Sequence, residues 1–508
     1  MEVQVQFRDL LVALDGRSDR PGGSGAGDGV TVRSVEHDHR RVHPGACFAC
    51  IPGARFDGHD FAPAAVVAGA VALIVERPLG LGVPEIRVAD VRAALGAVAA
   101  RLYGDPSRAL RCLGVTGTNG KTTTTHLLHA IATAAGERAG YIGTTGARIG
   151  DRNVPLSFTT PEASDLQALL AEMRDDGVTT VAMEVSSHAL VQHRVDATWF
   201  AAACFTNLSR DHLDYHGTMD DYFAAKATLF VPERCGVVVT NLDDAHGARL
   251  VEIAAAGGLA SVTYAVDDGA ADLGVEGRSS TTTGSTFTLV DRRHGRRAEV
   301  ALGLVGRLNV ANACAAAATA LAVGFRLDDV ARGLSQAPVV PGRLERVDAG
   351  QPFTVLVDYA HTPDALVAAI AAARATATAT GGRVGIVFGC GGDRDPGKRP
   401  EMGAAAAAAD HVVVTSDNPR SEDPATIAAA AVAGARDTGA TPEVELDRRL
   451  AIRRVLAWAS PGDVVLVAGK GHESGQTLGS TTVAFDDREV VREELLAGAR
   501  AESGSRWT

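Results

Sequence analysis

Gly117-Thr118-Asn119-Gly120-Lys121-Thr122-Thr123 stands between an apolar run, Leu110 to Val115, and a stretch from Thr122 to Ala135 in which Leu127, Leu128 and Ile131 recur at helical spacing. A buried strand that turns through glycines straight into a helix restricts the chain to an α/β arrangement, because the helix must cover the sheet that holds the strand. The turn also carries chemistry. Its glycines let successive N–H groups and the helix N-terminus converge on phosphate oxygens. Lys121 then reaches terminal phosphates, and Thr122 offers a hydroxyl to magnesium. The spacing departs from the strict Walker pattern, since the residue five before Gly120 is Val115 rather than glycine. The strand-turn-helix setting is what favours a nucleotide triphosphate over an ordinary glycine turn.

A chain of 508 residues is too long for one ordinary core and predicts about three domains. With 46% hydrophobic and 22% charged residues it falls among soluble globular proteins. A formal net charge of −12 argues against a dedicated nucleic-acid or anionic-membrane surface. Met1 to Leu14 lacks a long apolar core and does not resemble a secretory signal, and no stretch is apolar for long enough to span a bilayer. The cytoplasm is the expected compartment. Seven cysteines are too few for a disulfide scaffold. Cys47 and Cys50 form the only Cys-x-x-Cys, and with no second pair they read as small strand residues rather than zinc ligands. Cys390 reads as a packing residue in a glycine loop.

Three units are expected: residues 1–108, 109–341 and 342–508. In the first, Gly16 to Gly29 reads as a mobile loop, Thr31 to Ser34, Ala46 to Ile51 and Val71 to Val75 as strands, and Phe61 to Ala68 as a helix. In the second, Thr180 to Val185, Ala202 to Thr206 and Val237 to Thr240 alternate with helical runs, the pattern of a parallel sheet covered by helices. Beyond Pro341-Gly342-Arg343, a second doubly wound, Rossmann-like sheet is expected from Thr354 to Val357, Arg383 to Phe388, His411 to Thr415 and Val464 to Ala468. Ala404 to Ala409 is expected to be helical, and Ala371 to Thr380 to be a helix terminus and exposed loop.

Other segments add chemistry to the phosphate loop. Met183-Glu184-Val185-Ser186-Ser187-His188 ends a strand at the ligand-bearing edge of such a sheet, so Glu184 suits magnesium, with a helix-capping carboxylate as the bland alternative. Asp211-His212-Leu213-Asp214 brings imidazole and carboxylates to the same edge, although a lone histidine is usually structural. Phe223, Ala227 and Phe230 share a core-facing stripe that leaves Lys226 at its margin. From spacing alone Lys226 reads as a snorkelling surface lysine.

Taken in order from about Asp38 to Glu473, the phosphate loop, Met183 to Arg194, Asp211-His212, Lys226, Gly306-Arg307-Leu308-Asn309, Asp358-Tyr359-Ala360-His361-Thr362-Pro363 and Asp417-Asn418-Pro419-Arg420 resemble the Mur ligases, and most of all the branch that adds diaminopimelate. The resemblance implies a three-domain ligase. ATP would phosphorylate a substrate carboxylate, and an amine would then displace the phosphate. By the same resemblance Lys121, Glu184, His212 and Lys226 are catalytic, and Thr122, Glu184, His212 and a carbamylated Lys226 hold two magnesium ions. ATP would be contacted by Gly117, Thr118, Asn119, Gly120, Lys121, Thr122, Thr123, Asn309, Asn312, Arg343 and Asp358. Thr159, Thr160, Ser186, Gln192 and Arg194 match contacts to the UDP-N-acetylmuramoyl dipeptide. Arg394, Asp417, Asn418, Pro419, Arg420, Gly469 and Glu473 match the diaminopimelate pocket, where an arginine fork suits a second carboxylate. A cytoplasmic monomer in peptidoglycan synthesis, without nucleic-acid or membrane partners, is implied.

One element departs from the family pattern: Asp38-His39-Arg40 stands where Asp-Ser-Arg is common, which changes volume and donor geometry near the uridine end. Lysine in place of diaminopimelate, a folylpolyglutamate- or cyanophycin-type ligase, a decayed binding module and a phosphotransferase remain as alternatives.

Overall fold

The computed structural model describes residues 4–14, 18–19, 29–53, 56–281 and 283–504. Most of the glycine-rich Gly16 to Gly29 segment lies outside these residues. Three α/β units follow one another along the chain. The first is a five-stranded sheet whose core strands, Ser34–Glu36, Ala46–Ala49, Ala72–Val75 and Glu85–Val88, run parallel. Phe7, Leu10 and Leu14 pack on it together with helix Val91–Leu102, which starts at Asp90, whose carboxylate accepts the Ala93 N–H. That last strand and helix were not legible beforehand.

The central unit is an eleven-stranded sheet. Its middle is parallel: Ala139–Gly143, Thr180–Glu184, Arg111–Thr116, Ala202–Phe205, Val237–Asn241 and Ala260–Tyr264 lie side by side in that order. Antiparallel strands flank it, with Gly146–Ile149 and Arg152–Val154 at one edge and Ser285–Asp291 and Arg296–Leu302 at the other. Val115, Leu127, Leu128 and Ile131 are buried in its core with the alanine-rich helix Arg307–Ala322. Phosphate-loop strand and helix therefore meet as their spacing predicts.

The third unit is a six-stranded sheet in which Thr354–Asp358, Val464–Ala468, Val384–Cys390, His411–Ser416 and Glu443–Val444 are parallel neighbours and Glu345–Val347 is an antiparallel edge. Two expectations are corrected here. Ala371 to Thr380 is not a loop: helix Pro363–Thr380 runs through it, and Ala373, Thr376 and Ala377 are buried. Cys390 closes a strand rather than lying in a loop, with its Sγ 3.7 Å from Met402 Sδ. Cys47 and Cys50 are buried, Cys47 within its strand and Cys50 just past it, and burial pushes the Cys50 thiol up to about 12, which suits packing rather than redox work.

Candidate active site

The phosphate loop is built from the next strand as much as from its own sequence. The Asn119 N–H donates to Asn207 Oδ1 at 2.9 Å, the Thr118 N–H donates to the Asn207 carbonyl at 2.9 Å, and Thr206 Oγ1 donates to the Asn119 carbonyl at 2.6 Å. Two glycines are required by this packing. A Cβ at Gly117 would lie 1.9 Å from Thr206 Oγ1, and Gly120 has φ +89° with Asn312 Oδ1 2.2 Å from where its Cβ would stand. Lys121 Nζ donates to the Gly117 and Thr118 carbonyls at 2.8 and 2.9 Å.

Lys226 corrects the surface reading. It is 1% exposed, its Nζ donates to the Gly117 carbonyl at 2.9 Å, and it lies 4.4 Å from the centre of the Tyr222 ring. Burial first, and then the Lys121 charge, hold its amine well below the ordinary lysine range, against the opposing pull of Asp211. Both lysines thus converge on one turn of backbone, a feature their separation of over a hundred positions conceals.

Glu184 ends its strand buried, with Oε1 accepting the Thr144 N–H at 2.8 Å and Oε2 accepting Thr144 Oγ1 at 3.1 Å. His212 has left-handed backbone, φ +55°, and its Nε2 lies 3.3 Å from Asp211 Oδ2. Burial takes His212 down to about 3, with Asp211 opposing, so its imidazole is neutral and has a lone pair to give. Among the described residues no group of three or more His, Cys, Asp or Glu could hold a metal by itself. Glu184, His212 and the Thr122 hydroxyl nevertheless line one cavity and offer donors there, and magnesium held by one or two carboxylates takes its remaining ligands from phosphate and water.

Three cavities meet at this edge. The first, about 480 Å³, is lined by Lys121, Thr122, Glu184, His212 and Arg394 and also by all five residues matched to the dipeptide: Thr159, Thr160, Ser186, Gln192 and Arg194. Arg194 Nη1 donates to the Thr160 carbonyl at 3.1 Å and Nη2 to Gln192 Oε1 at 2.7 Å, while Nη2 also lies 3.0 Å from Glu162 Oε1. Half-exposed Phe158, which carried no sequence signal, stacks on the Arg194 guanidinium at 4.4 Å. A second, smaller cavity brings Asn119, Gly120 and Thr123 together with Asn309, Asn312, Arg343 and Asp358. There Arg343 crosses between units, with Nη2 donating to Thr122 Oγ1 at 2.9 Å. The Nε–H groups of Arg194 and Arg343 are buried without a partner among the described residues, as suits sites for anionic ligands.

A third cavity, about 540 Å³, is lined by Asn418, Arg420 and Glu473. Arg420 has φ +50°, and its Nη1 donates to the Gly392 carbonyl at 2.6 Å. Asp417, Pro419 and Gly469 do not line it but lie behind; a Cβ at Gly469 would come within 2.7 Å of Asp417 Oδ2. Arg394 faces the first cavity instead. Tyr359 borders all three, with the Arg343 guanidinium 4.6 Å from its ring centre. In the first unit His39 stacks flat on Phe61, with ring centroids 4.5 Å apart.

Known proteins share the sequence and fold that carry this geometry. Residues 31–103 match the model described as Mur ligase family, catalytic domain, residues 115–320 the Mur ligase middle domain, and residues 342–471 the Mur ligase, glutamate ligase domain. The UDP-N-acetylmuramoyl-L-alanyl-D-glutamate--2,6-diaminopimelate ligase of Streptomyces coelicolor is 46% identical over 93% of this chain and 94% of its own length. The protein of the same name from Geobacillus thermodenitrificans is also 46% identical, over 96% of this chain and 99% of its own. A solved structure of a ligase of that name superposes with a TM-score of 0.69 at 35% identity, covering 98% of this chain and 99% of the other. Similarity of that depth, running nearly end to end in sequence and in fold, makes this chain a member of the Mur ligase family.

Proposed function

We propose that the chain is an ATP-dependent ligase that joins meso-2,6-diaminopimelate to UDP-N-acetylmuramoyl-L-alanyl-D-glutamate in peptidoglycan precursor synthesis. The observation that carries this reading is the junction at Tyr359, where a nucleotide cavity, an acid cavity and an amino-acid cavity share one wall. A reaction needing three substrates in contact requires that arrangement.

In the first step an oxygen of the dipeptide's terminal carboxylate attacks the γ-phosphorus; an O–P bond forms, the β,γ-bridging O–P bond breaks, and ADP leaves. In the second, the amine nitrogen attacks the acyl carbon; a C–N bond forms, the C–O bond to phosphate breaks, and the amine proton is released. Loop N–H groups and Lys121 receive the triphosphate, Arg343 brings a cation from the third unit, and Arg194 suits an acidic substrate. Magnesium, held by Glu184, Thr122 and His212, would neutralise phosphate charge. Buried Lys226, its amine held below the ordinary lysine range, suits carbamylation: its nitrogen adds carbon dioxide and loses a proton, turning an amine into an anionic oxygen ligand. Asn309, Asn312 and Asp358 belong to the nucleotide end. Arg420 offers the donor, and Glu473 the acceptor, for the far amino-carboxylate end of diaminopimelate. Residues 1–108, 109–341 and 342–508 form the working units of a cytoplasmic monomer. Among the described residues no helix is long and apolar enough to cross a membrane.

The test is to offer the purified protein ATP, magnesium and the UDP-dipeptide with either diaminopimelate or lysine, and to measure ADP release and product mass. Diaminopimelate is expected to yield one amide per ADP, and lysine much less. Amide formation with ATP left intact, or lysine used preferentially, would overturn the proposal.

A further inference from the structure

Lys470 follows strand Val464–Ala468 and is 0% exposed. A buried ammonium is costly unless its donors are met, so its partners indicate its use. Nζ donates to Asn418 Oδ1 at 3.2 Å and to Glu473 Oε2 at 3.0 Å, and stands 3.6 Å from Asp417 Oδ1. That Asp417 oxygen is buried without a hydrogen bond among the described residues, so the lysine charge is what faces it. Asn418 Nδ2 donates to the same Glu473 oxygen at 2.9 Å, and Asn418 Oδ1 also accepts the Thr477 N–H at 3.0 Å. The amide is thereby locked, with two donors on its oxygen and its nitrogen committed to Glu473. Both bonds to Glu473 fall on Oε2, leaving Oε1 without a hydrogen bond among the described residues. Asn418 and Glu473 line the third cavity, whereas Lys470 does not.

We infer that Lys470 is a positioning residue for amino-acid selection: it fixes Asn418 and Glu473 in the cavity that also holds Arg420, without itself touching the amino acid. The inference rests on the proposed function. Removing the charge would take away the one ammonium bonded to Glu473 and facing Asp417, leaving the more distant pull of Arg420 and Arg448, and would free the Asn418 amide to turn. The side-chain hydrogen bonds of Lys470, Asn418 and Glu473 go to one another and to Thr477, none of them to a phosphate-loop residue, so the expected effect falls on the amino acid.

Steady-state kinetics of Lys470→Met test this, because methionine keeps an unbranched stem while removing every donor. KM for diaminopimelate should rise about tenfold or more, as for loss of a charged hydrogen bond, with KM for ATP and for the UDP-dipeptide near their parent values. In a double-mutant cycle, adding Glu473→Gln should cost little further, since both act on one contact. Equal rises in all three KM values, or additive effects, would overturn the inference. Should the methionine variant fail to fold, Lys470→Gln, which retains N–H donors without charge, should show a smaller but still selective rise; an unchanged KM for diaminopimelate would refute it. A parent enzyme that took only lysine would overturn the proposed function instead, and the selective rise would then be read on lysine.

Discussion

A lysine beside a phosphate loop ordinarily serves as a cation, and Lys226 is held where a cation is penalised. It is walled in by Tyr222 and the Gly117 carbonyl, and Lys121 lies close enough to repel a second charge. Burial and the Lys121 charge thus shift Lys226 towards the neutral amine, the form that reacts with carbon dioxide. Lys226→Ala is expected to lower kcat by roughly a hundredfold, the scale of losing one preorganised electrostatic group. Added formate or acetate should restore part of the rate by standing in for the carbamate, and rates measured across a carboxylate titration would check this. Helix spacing alone assigned this residue to the surface, because a stripe shows which side of a helix meets its own sheet and nothing of what a loop over a hundred residues away lays against the margin. Glu184 and His212 carried a clearer signal: Glu184 ends strand Thr180–Glu184 and His212 stands in the loop after strand Ala202–Phe205, at the edge where such a sheet bears its ligands.

At the scale of elements, the parallel strands were readable because burial on both faces leaves unbroken apolar runs such as Val464-Val465-Leu466-Val467. The flanking antiparallel strands were not. Leu273–Ser280, with exposed residues from Gly277 to Ser280, and Arg296–Leu302 are half solvated and lack that signature. Helix Pro363–Thr380 escaped because alternating Ala and Thr reads as low complexity, while its small side chains are what let Ala373 and Ala377 pack tightly. The C-terminal helix Asp487–Gly504 is joined to helix Arg448–Trp458 by a fully buried pair: Arg448 Nε and Nη2 donate to the two Asp487 oxygens at 2.8 and 2.6 Å. Arg448 also donates to the Ser416 and Ala468 carbonyls, at the ends of the two strands that lead into the cavity lined by Asn418, Arg420 and Glu473. Asp487→Ala leaves that guanidinium uncompensated and should destabilise the protein by about 3–5 kcal/mol, whereas replacing both partners by apolar residues should cost less. Urea denaturation of the single and double variants decides between these outcomes.

Across the whole molecule, buried charge pairs join the central and third units, beside an apolar contact in which Gly306 packs on Ala372. Lys398 Nζ lies 3.2 Å from Asp211 Oδ1 with both side chains almost fully buried, His361 Nε2 lies 3.7 Å from Asp211 Oδ2, and Arg210 reaches Asp395 and Glu401 at 3.1 and 2.9 Å. Although burial opposes it, these partners hold the Asp211 carboxyl well below the ordinary carboxylate range, so the contact keeps its charge throughout the neutral and mildly acidic range. Because Asp211 also adjoins His212, Lys398 and His361 bring the third unit to the sheet edge that carries His212. Lys398→Met removes the buried cation and leaves Asp211 facing a desolvated interface, which water can relieve only if the units separate. The variant should therefore show a larger radius of gyration in small-angle scattering. Since Arg343 reaches the phosphate loop across the same seam, KM for ATP should rise by about tenfold, the scale of one charged contact. The scattering change should shrink on adding a non-hydrolysable ATP analogue, because the nucleotide binds groups on both units and its binding energy offsets the lost contact. An unchanged radius together with a raised KM would assign Lys398 to local chemistry instead of closure.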